Sequence, residues 1–239
     1  MSQIKNSVSS IDLTNKNVLL RVDFNVPLKG SELLDDERLI RALPTIKHIA
    51  QNAKSLKIIS HLGRPEETGL VQDKFSLKPV AKKLAELLGQ EVNLVNSLKE
   101  LKSLENISML ENIRFYKGEK QNKDNLSQAL AETADVFVMD AFGTAHRKQA
   151  STYGVTEFVK EAYVGLLVEE ELMALKKIID SPEKPLLGII GGSKISTKMK
   201  ILKSLTNHVD QLIIGGALAN TCFKALGKNI GKSLYEESY

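Results

Sequence analysis

Apolar residues along the chain recur in two alternating rhythms. Val18-Leu19-Leu20 and the stretches 56–60, 135–141, 186–190 and 210–214 are nearly continuous apolar runs, which suit strands buried on both faces. Further strands are expected at 90–95 and 107–110, the latter running on into Glu111-Asn112-Ile113-Arg114-Phe115. Between the runs, apolar residues repeat at helical spacing. Leu39, Leu43, Ile46, Ala50 and Ala53 share one face within 35–53, and Val168, Leu172, Leu175 and Ile179 form a stripe within 168–180. Helices are also expected over 76–88, stopped by Gly89, and over 98–104, 124–133, 195–205 and 217–226. Asp35 and Asp36 suit the start of the first helix, and Pro44 should kink or restart it. Strands alternating with helices predict an α/β fold with a parallel sheet covered on both faces. Ser181-Pro182-Glu183-Lys184-Pro185 reads as a hinge, so the expected division is a domain over 1–167, an interdomain helix and hinge over 168–185, and a second α/β unit over 186–239.

Polar residues interrupt the pattern where strands end. After Leu20, Arg21, Asp23 and Asn25 alternate with Val22, Phe24 and Val26, and Pro27 closes the run. An edge strand with a solvated face would read this way, but so would a ligand floor at the carboxyl end of a strand, where open α/β sheets bind substrates. The other strand ends favour the floor. They carry His61-Leu62-Gly63-Arg64-Pro65, Arg114, and Phe142-Gly143-Thr144-Ala145-His146-Arg147, while Arg38 comes from the first helix. Arginine presents a planar fork of donors that matches phosphate or carboxylate. Such a cluster would repel itself strongly when empty, which points to a small, multiply charged anion; Asp23 and Asn25 then suit a ligand hydroxyl. In the second unit, Gly191-Gly192-Ser193-Lys194 joins a strand to a helix, where backbone N–H groups can meet phosphate oxygens. Lys194 and Lys198, at i and i+4, are expected on one helical face. The near match Gly231-Lys232-Ser233 is no Walker A motif, because Leu226 stands where glycine is needed.

Composition narrows the classes. With 42% apolar and 26% charged residues the chain is expected to be an ordinary soluble globular protein. Its net charge of +4 is modest and its lysines lie beside glutamates, so nucleic acid is not an expected partner. No apolar run approaches the ~20 residues of a membrane span, and the first residues lack the apolar core of an export signal. The single cysteine, Cys222, rules out an internal disulfide and fits a reducing cytoplasm. His and Cys are too sparse for a zinc site.

Five motifs together resemble one family. R-V-D-F-N-V-P at 21–27, S-H-L-G-R-P at 60–65, E-N-I-R-F at 111–115, D-A-F-G-T-A-H-R at 140–147 and G-G-S-K-I-S-T-K at 191–198 are similar to phosphoglycerate kinase and occur in that family's order. The resemblance implies a Rossmann-like, three-layer substrate domain for 3-phosphoglycerate, followed by a nucleotide-binding α/β domain. It implies phosphoryl exchange between 1,3-bisphosphoglycerate and ADP, with magnesium on the nucleotide, and no membrane partner. Carried over by position, Asp23 and Asn25 would hold the substrate hydroxyl and His61, Arg64, Arg114 and Arg147 the distal phosphate, with Leu62 and Gly63 also among the substrate-binding residues. Arg38 would sit near the acyl carboxylate and the group in flight, with Arg21 in support. Lys194 would stabilise the transferring oxygens, Lys198 would contact nucleotide phosphates, and Gly192 and Gly216 would leave room for the nucleoside. Domain closure would exclude water.

The chain also departs from that family. Members run to roughly 400 residues, so the second domain is expected to be incomplete and to lack the magnesium ligand. Turnover by the 239 residues alone is then expected to be near background, and the chain to be weakly ordered over 186–239 or to self-associate there, although a full-length member would be a monomer. Ala217 stands where many members have a third glycine. The alternative is a module that binds 3-phosphoglycerate without turnover.

Overall fold

A computed structural model of the chain describes residues 6–180 and 182–237 and divides into two compact units, Met1–Met173 and Ala174–Tyr239. Ser181 of the expected hinge, the first five residues and the last two lie outside the described residues.

The first unit opens with β1 (Asn17–Val22), a small hairpin of β2 (Leu28–Lys29) and β3 (Glu32–Leu33), and α1 (Glu37–Asn52). Then come β4 (Ser55–Ile59), α2 (Lys78–Leu88), β5 (Asn93–Val95), α3 (Leu98–Ser103) and β6 (Ile107–Leu110). The last part carries α4 (Asp124–Ala131), β7 (Val136–Asp140), the short α5 (Phe142–Ala145) and α6 (Val155–Phe158), and β8 (Glu161–Val164). The boundary between the units falls inside α7 (Leu166–Asp180). Six strands pair in parallel in the order β5-β6-β4-β1-β7-β8.

Alternation along β1 explains the three layers. Val18, Leu20 and Val22 face one way, into a cluster with Leu39, Ile46 and Ile49 of α1 and Val80 and Leu84 of α2. Leu19 faces the other way, with Leu101 of α3, Leu130 of α4 and Val155 of α6. The chain order reverses at β1, whose neighbours are β4 on one side and β7 on the other. Such a switch point leaves a crevice at the carboxyl ends of the strands.

Several local expectations change. α1 runs unbroken through Pro44, because its buried face of Leu39, Ala42, Ile46 and Ile49 holds both halves to the sheet. That face is centred on Ala42 and Ile49, with Leu43 and Ala50 only half-buried beside it. Asp36 stands at the N-cap without a side-chain capping bond, whereas Asp35 Oδ1 accepts from Glu37 N–H at 2.8 Å. The expected strand at 90–95 shortens to Asn93–Val95. The strand expected to continue past Leu110 turns instead, since Asn112 Oδ1 accepts the Arg114 N–H (3.1 Å) and Ile113–Phe115 wind into a 3-10 turn. β8 was not expected: Glu161-Ala-Tyr-Val has no apolar run, being a half-exposed edge strand.

The second unit pairs β9 (Leu187–Gly191) with β10 (Gln211–Gly215) in parallel, beside α8 (Met199–Thr206) and α9 (Gly216–Ala225). Its core centres on Ile190, Ile195 and Leu218. Leu187, Ile189 and Ile213 are exposed. The apolar stripe of α7 is likewise largely outside, with Leu175 and Ile179 exposed.

Candidate active site

β1 ends in a sequence whose odd and even positions part company. Phe24 and Val26 turn into the core while Asp23 and Asn25 stay towards the surface. Arg21 does not follow them: it is fully buried at the end of the Leu19 side of β1. Its Nε donates to Ser151 Oγ (3.1 Å), its Nη1 to the Val22 carbonyl, and its Nη2 lies 3.2 Å from His61 Nδ1.

His61 leads the loop after β4. The loop is held at three points. Asn112 receives the Leu62 N–H on Oδ1 (3.2 Å) and donates from Nδ2 to the Leu62 and Phe75 carbonyls (2.8 and 2.9 Å). Asn25 Oδ1 accepts from Gly63 N–H (2.8 Å), and Arg114 Nη1 donates to the Gly63 carbonyl. Gly63 sits at φ +61, where a Cβ would stand 2.5 Å from the Phe75 ring, so glycine is needed for space as well as backbone. Leu62 therefore places its side chain in the core, its backbone groups engaged by Asn112, while Arg64 beyond it is exposed. Glu111 supports the same turn from beneath, accepting Leu77 N–H (2.6 Å), Asn112 N–H (2.8 Å) and the Ser76 hydroxyl (2.6 Å) ahead of α2.

From β7 the chain passes through α5 to Arg147, whose carbonyl accepts the Thr152 hydroxyl (2.6 Å). Residues Ala150–Gly154 then wind as a π-helical turn, a local form that recurs at functional sites. This turn aims Ser151 at the buried Glu119, which accepts the Ser151 N–H (3.0 Å) and hydroxyl (2.6 Å).

The expected convergence is present, and it is graded in depth. Arg21 and Arg114 are buried, Arg147 half-buried, and Arg38 and Arg64 exposed. Burial lowers the pKa of Arg21 and Arg114; beyond that, Glu119 and Asp23 hold up both, while Arg147 further lowers both. Burial raises Glu119, against the opposing pull of Arg21 and the Ser151 hydrogen bonds. His61 is driven to about 2, first by burial and then by Arg21, Arg114, Arg147 and Arg38. It is therefore neutral, and its 3.9 Å approach to Asp23 is not an ion pair. Asp23 pairs instead with Arg38, Oδ2 to Nη1, at 2.5 Å. Five guanidinium groups against two carboxylates leave roughly three positive charges. An open cavity of about 320 Å³ beside Arg38 has a mixed-charge lining that includes Asp23, Glu37, Arg38, Arg41, Asp140 and Glu171. A cavity of about 350 Å³ at the opposite strand ends, near Ser55, Asn93 and Ile107, has no arginine in its lining.

Glu119, Ser151, Glu111 and Asn112 were missed as site residues. Glu119 lies within Lys117-Gly118-Glu119-Lys120, which reads as a solvated charge run, and no spacing links it to Ser151.

In the second unit, the turn after β9 brings Gly192 against Gly216. Gly216 has φ +67, and a Cβ there would meet the Gly192 carbonyl oxygen at 3.0 Å. The Lys198 side chain folds over Gly192, where a Cβ would lie 2.8 Å from Lys198 Cε. The expectation that Lys194 and Lys198 share a helical face is corrected. α8 begins at Met199, because Lys198 N–H turns back to the Ile195 carbonyl (2.9 Å) and the Thr197 hydroxyl to the Lys194 carbonyl (3.1 Å). Lys194 thus lies in the loop and Lys198 at the N-cap. The Ser196 N–H and hydroxyl are engaged by Glu236 at 2.9 and 2.5 Å. Among the described residues, no group of three or more His, Cys, Asp or Glu is placed to hold a metal ion.

Comparison with known proteins decides the family. The family model described as phosphoglycerate kinase matches residues 8–239. The chain belongs to the phosphoglycerate kinase family. It is 47% identical over 234 residues to phosphoglycerate kinase of Coxiella burnetii, covering 97% of this chain and 60% of that one. It is 48% identical over 235 residues to that of Francisella philomiragia, covering 97% and 59%. The solved phosphoglycerate kinase of Coxiella burnetii superposes with a TM-score of 0.85 at 48% identity, over 97% of this chain and 60% of that one. That of Pyrococcus horikoshii gives 0.80 at 29% identity, over 95% and 59%. The chain thus spans about 60% of the length of the phosphoglycerate kinases it matches. Of the family motifs in its sequence, four sit at the carboxyl ends of β1, β4, β6 and β7, and the fifth follows β9.

Proposed function

We propose that the first unit binds 3-phosphoglycerate and that the second binds the phosphates of ADP or ATP. In the protein of family length, the two then exchange a phosphoryl group between 1,3-bisphosphoglycerate and ADP. The observation that carries this reading is the arginine basket at the switch point of the sheet. A phosphomonoester with a carboxylate brings about three negative charges, which matches the roughly three positive charges left in the basket. Arg64, Arg114 and Arg147, with His61, take the distal phosphate. The Leu62-Gly63 backbone keeps that loop in place. Asp23 and Asn25 face the hydroxyl, and Arg38 neutralises the carboxylate end and the group being transferred. Arg21, whose Nε, Nη1 and Nη2 are engaged by Ser151, the Val22 carbonyl and His61, supports rather than touches.

The carboxylate acceptor is ionised at neutral pH, so the protein has no proton to remove. Its task is positioning and cancellation of charge. In the second unit the close packing of Gly192 and Gly216, with the Lys198 side chain folded over Gly192, fits the approach of a polyphosphate. Lys194 is assigned to the oxygens of the transferring phosphoryl group. Magnesium on the nucleotide would add charge neutralisation there. For the 239-residue chain by itself we propose binding with little turnover, since it spans about 60% of its relatives' length. The exposed face of Leu187, Ile189 and Ile213 supports self-association of this chain, a second copy covering that face. A cytoplasmic location is proposed as well, as for a glycolytic enzyme.

Calorimetric titration with 3-phosphoglycerate tests the site. Saturable binding that Arg64→Ala weakens at least about tenfold is expected. Absence of binding in a chain whose circular dichroism is that of a folded α/β protein would overturn the assignment to the first unit. Appreciable ATP formation in a coupled assay would overturn the proposal of low turnover.

A further inference from the structure

His61 is the one aromatic donor in a ring of guanidinium groups, and its neighbours determine which of its nitrogens carries the proton. Arginine has no acceptor, so wherever Arg21 Nη2 meets His61 Nδ1 at 3.2 Å, Nδ1 must be the acceptor. The proton then belongs on Nε2. Arg21 is itself held from behind: its Nε donates to Ser151 Oγ, and that hydroxyl donates to Glu119. Glu119 takes a second bond from the Ser151 backbone, so both of its oxygens are directed at one residue. All four side chains are buried. The hydrogen bonds link them in the order Glu119, Ser151, Arg21, His61.

We propose that Glu119 and Ser151 are positioning residues, which act through Arg21 to lock His61 as the neutral ring protonated on Nε2, so that the basket offers its anion an N–H alongside the guanidinium forks. This rests on the reading that the basket binds 3-phosphoglycerate. The arrangement has a physical use. A sixth cation there would add repulsion to every arginine. A neutral donor adds a hydrogen bond without that cost. A ring free to exchange tautomers would present an acceptor to phosphate for part of the time. The charged groups facing His61 are Arg21 and Asp23 at the end of β1, Arg38 from α1, Arg114 after β6 and Arg147 after α5.

The test is a long-range proton–nitrogen correlation spectrum of the imidazoles in the nitrogen-15-labelled chain, with and without 3-phosphoglycerate. His61 should show one acceptor-type nitrogen and one protonated nitrogen, unchanged from about pH 8 to about pH 5.5, a range over which a free imidazole titrates. Ser151→Ala should bring both nitrogens towards averaged tautomer positions, and Ser151→Thr should restore the lock. Glu119→Gln should act in the same direction; if it does not fold, the Ser151 pair carries the test alone. A doubly protonated His61 near pH 6.5, or a Ser151→Ala spectrum identical to wild type, overturns the proposal. A locked ring in a chain that shows no calorimetric response to 3-phosphoglycerate would support the relay and overturn the ligand reading instead.

Discussion

Arg38, in the first turn of α1, reaches Asp23 on the loop leaving β1 across 2.5 Å, and half of its side chain (51%) is open to solvent. A pair this exposed contributes at most about 1 kcal/mol to stability. The fold therefore has little need of Arg38. Arg38→Ala should leave urea unfolding of the first unit within about 1 kcal/mol of wild type, while weakening 3-phosphoglycerate binding at least about tenfold. Equal affinity in the variant would remove Arg38 from the ligand site.

His61 makes the first unit sensitive to acid. Its native pKa of about 2 lies below the ordinary 6.5, so the unfolded chain binds the proton first. Stability from this group is present above pH 6.5 and is lost as the pH falls towards 2. The slope is about 1.4 kcal/mol per pH unit, or about 2 kcal/mol between pH 6.5 and pH 5. His61→Gln should flatten that slope in urea titrations at the two pH values. An unchanged slope would show that His61 is not the group responsible.

Gly63 is doubly constrained, by φ +61 and by the Phe75 ring 2.5 Å from where a Cβ would lie. Gly30 has a similar φ of +64 but open space around it. Gly30→Ala should cost about 1–2 kcal/mol, the left-handed backbone penalty alone. Gly63→Ala should cost about 1–3 kcal/mol more than that, as overpacking does. Because Gly63 fixes the loop between His61 and Arg64, it should also weaken 3-phosphoglycerate binding, whereas Gly30→Ala should not. Equal costs for the two variants would mean that the Phe75 ring simply moves aside.

The two sheets should differ in stability. β1 and β4 lie inside six strands with apolar clusters on both faces, whereas β9 and β10 pair only with each other among the described residues and leave Leu187, Ile189 and Ile213 exposed. Fully burying one such side chain is worth about 1.5–3 kcal/mol, and those on this face forgo about half of it or more. Amide hydrogen exchange should therefore be faster at Leu187–Gly191 and Gln211–Gly215 than at Asn17–Val22. If the uncovered face pairs with a second copy, Ile189→Lys should return the chain to monomer in analytical ultracentrifugation and speed that exchange further. Protection in β9 equal to that in β1 in a monomeric chain would contradict this reading.

By itself the sequence determined the order of the longer strands and helices, the parallel sheet, and which strand ends carry arginine. These follow from local periodicity: a strand buried on both faces must be apolar throughout, and a helix must repeat its apolar positions about every 3.6 residues. It also carried the family, in five short motifs. Other features took shape only when distant segments met. Lys57 stands in what reads as a plain apolar run, yet it is buried and its ammonium donates to the Thr133 carbonyl at 2.6 Å, 76 positions away. The edge strand Glu161–Val164 has no pattern of its own and pairs because β7 offers it an edge. Glu119 reads as part of a solvated lysine stretch; the π-helical turn at Ala150–Gly154 is what brings Ser151 onto it and, through Ser151, sets Arg21 against His61. A hydrogen bond between residues more than a hundred positions apart leaves no period in the chain. Only the packing of the sheet and its loops brings its two ends together.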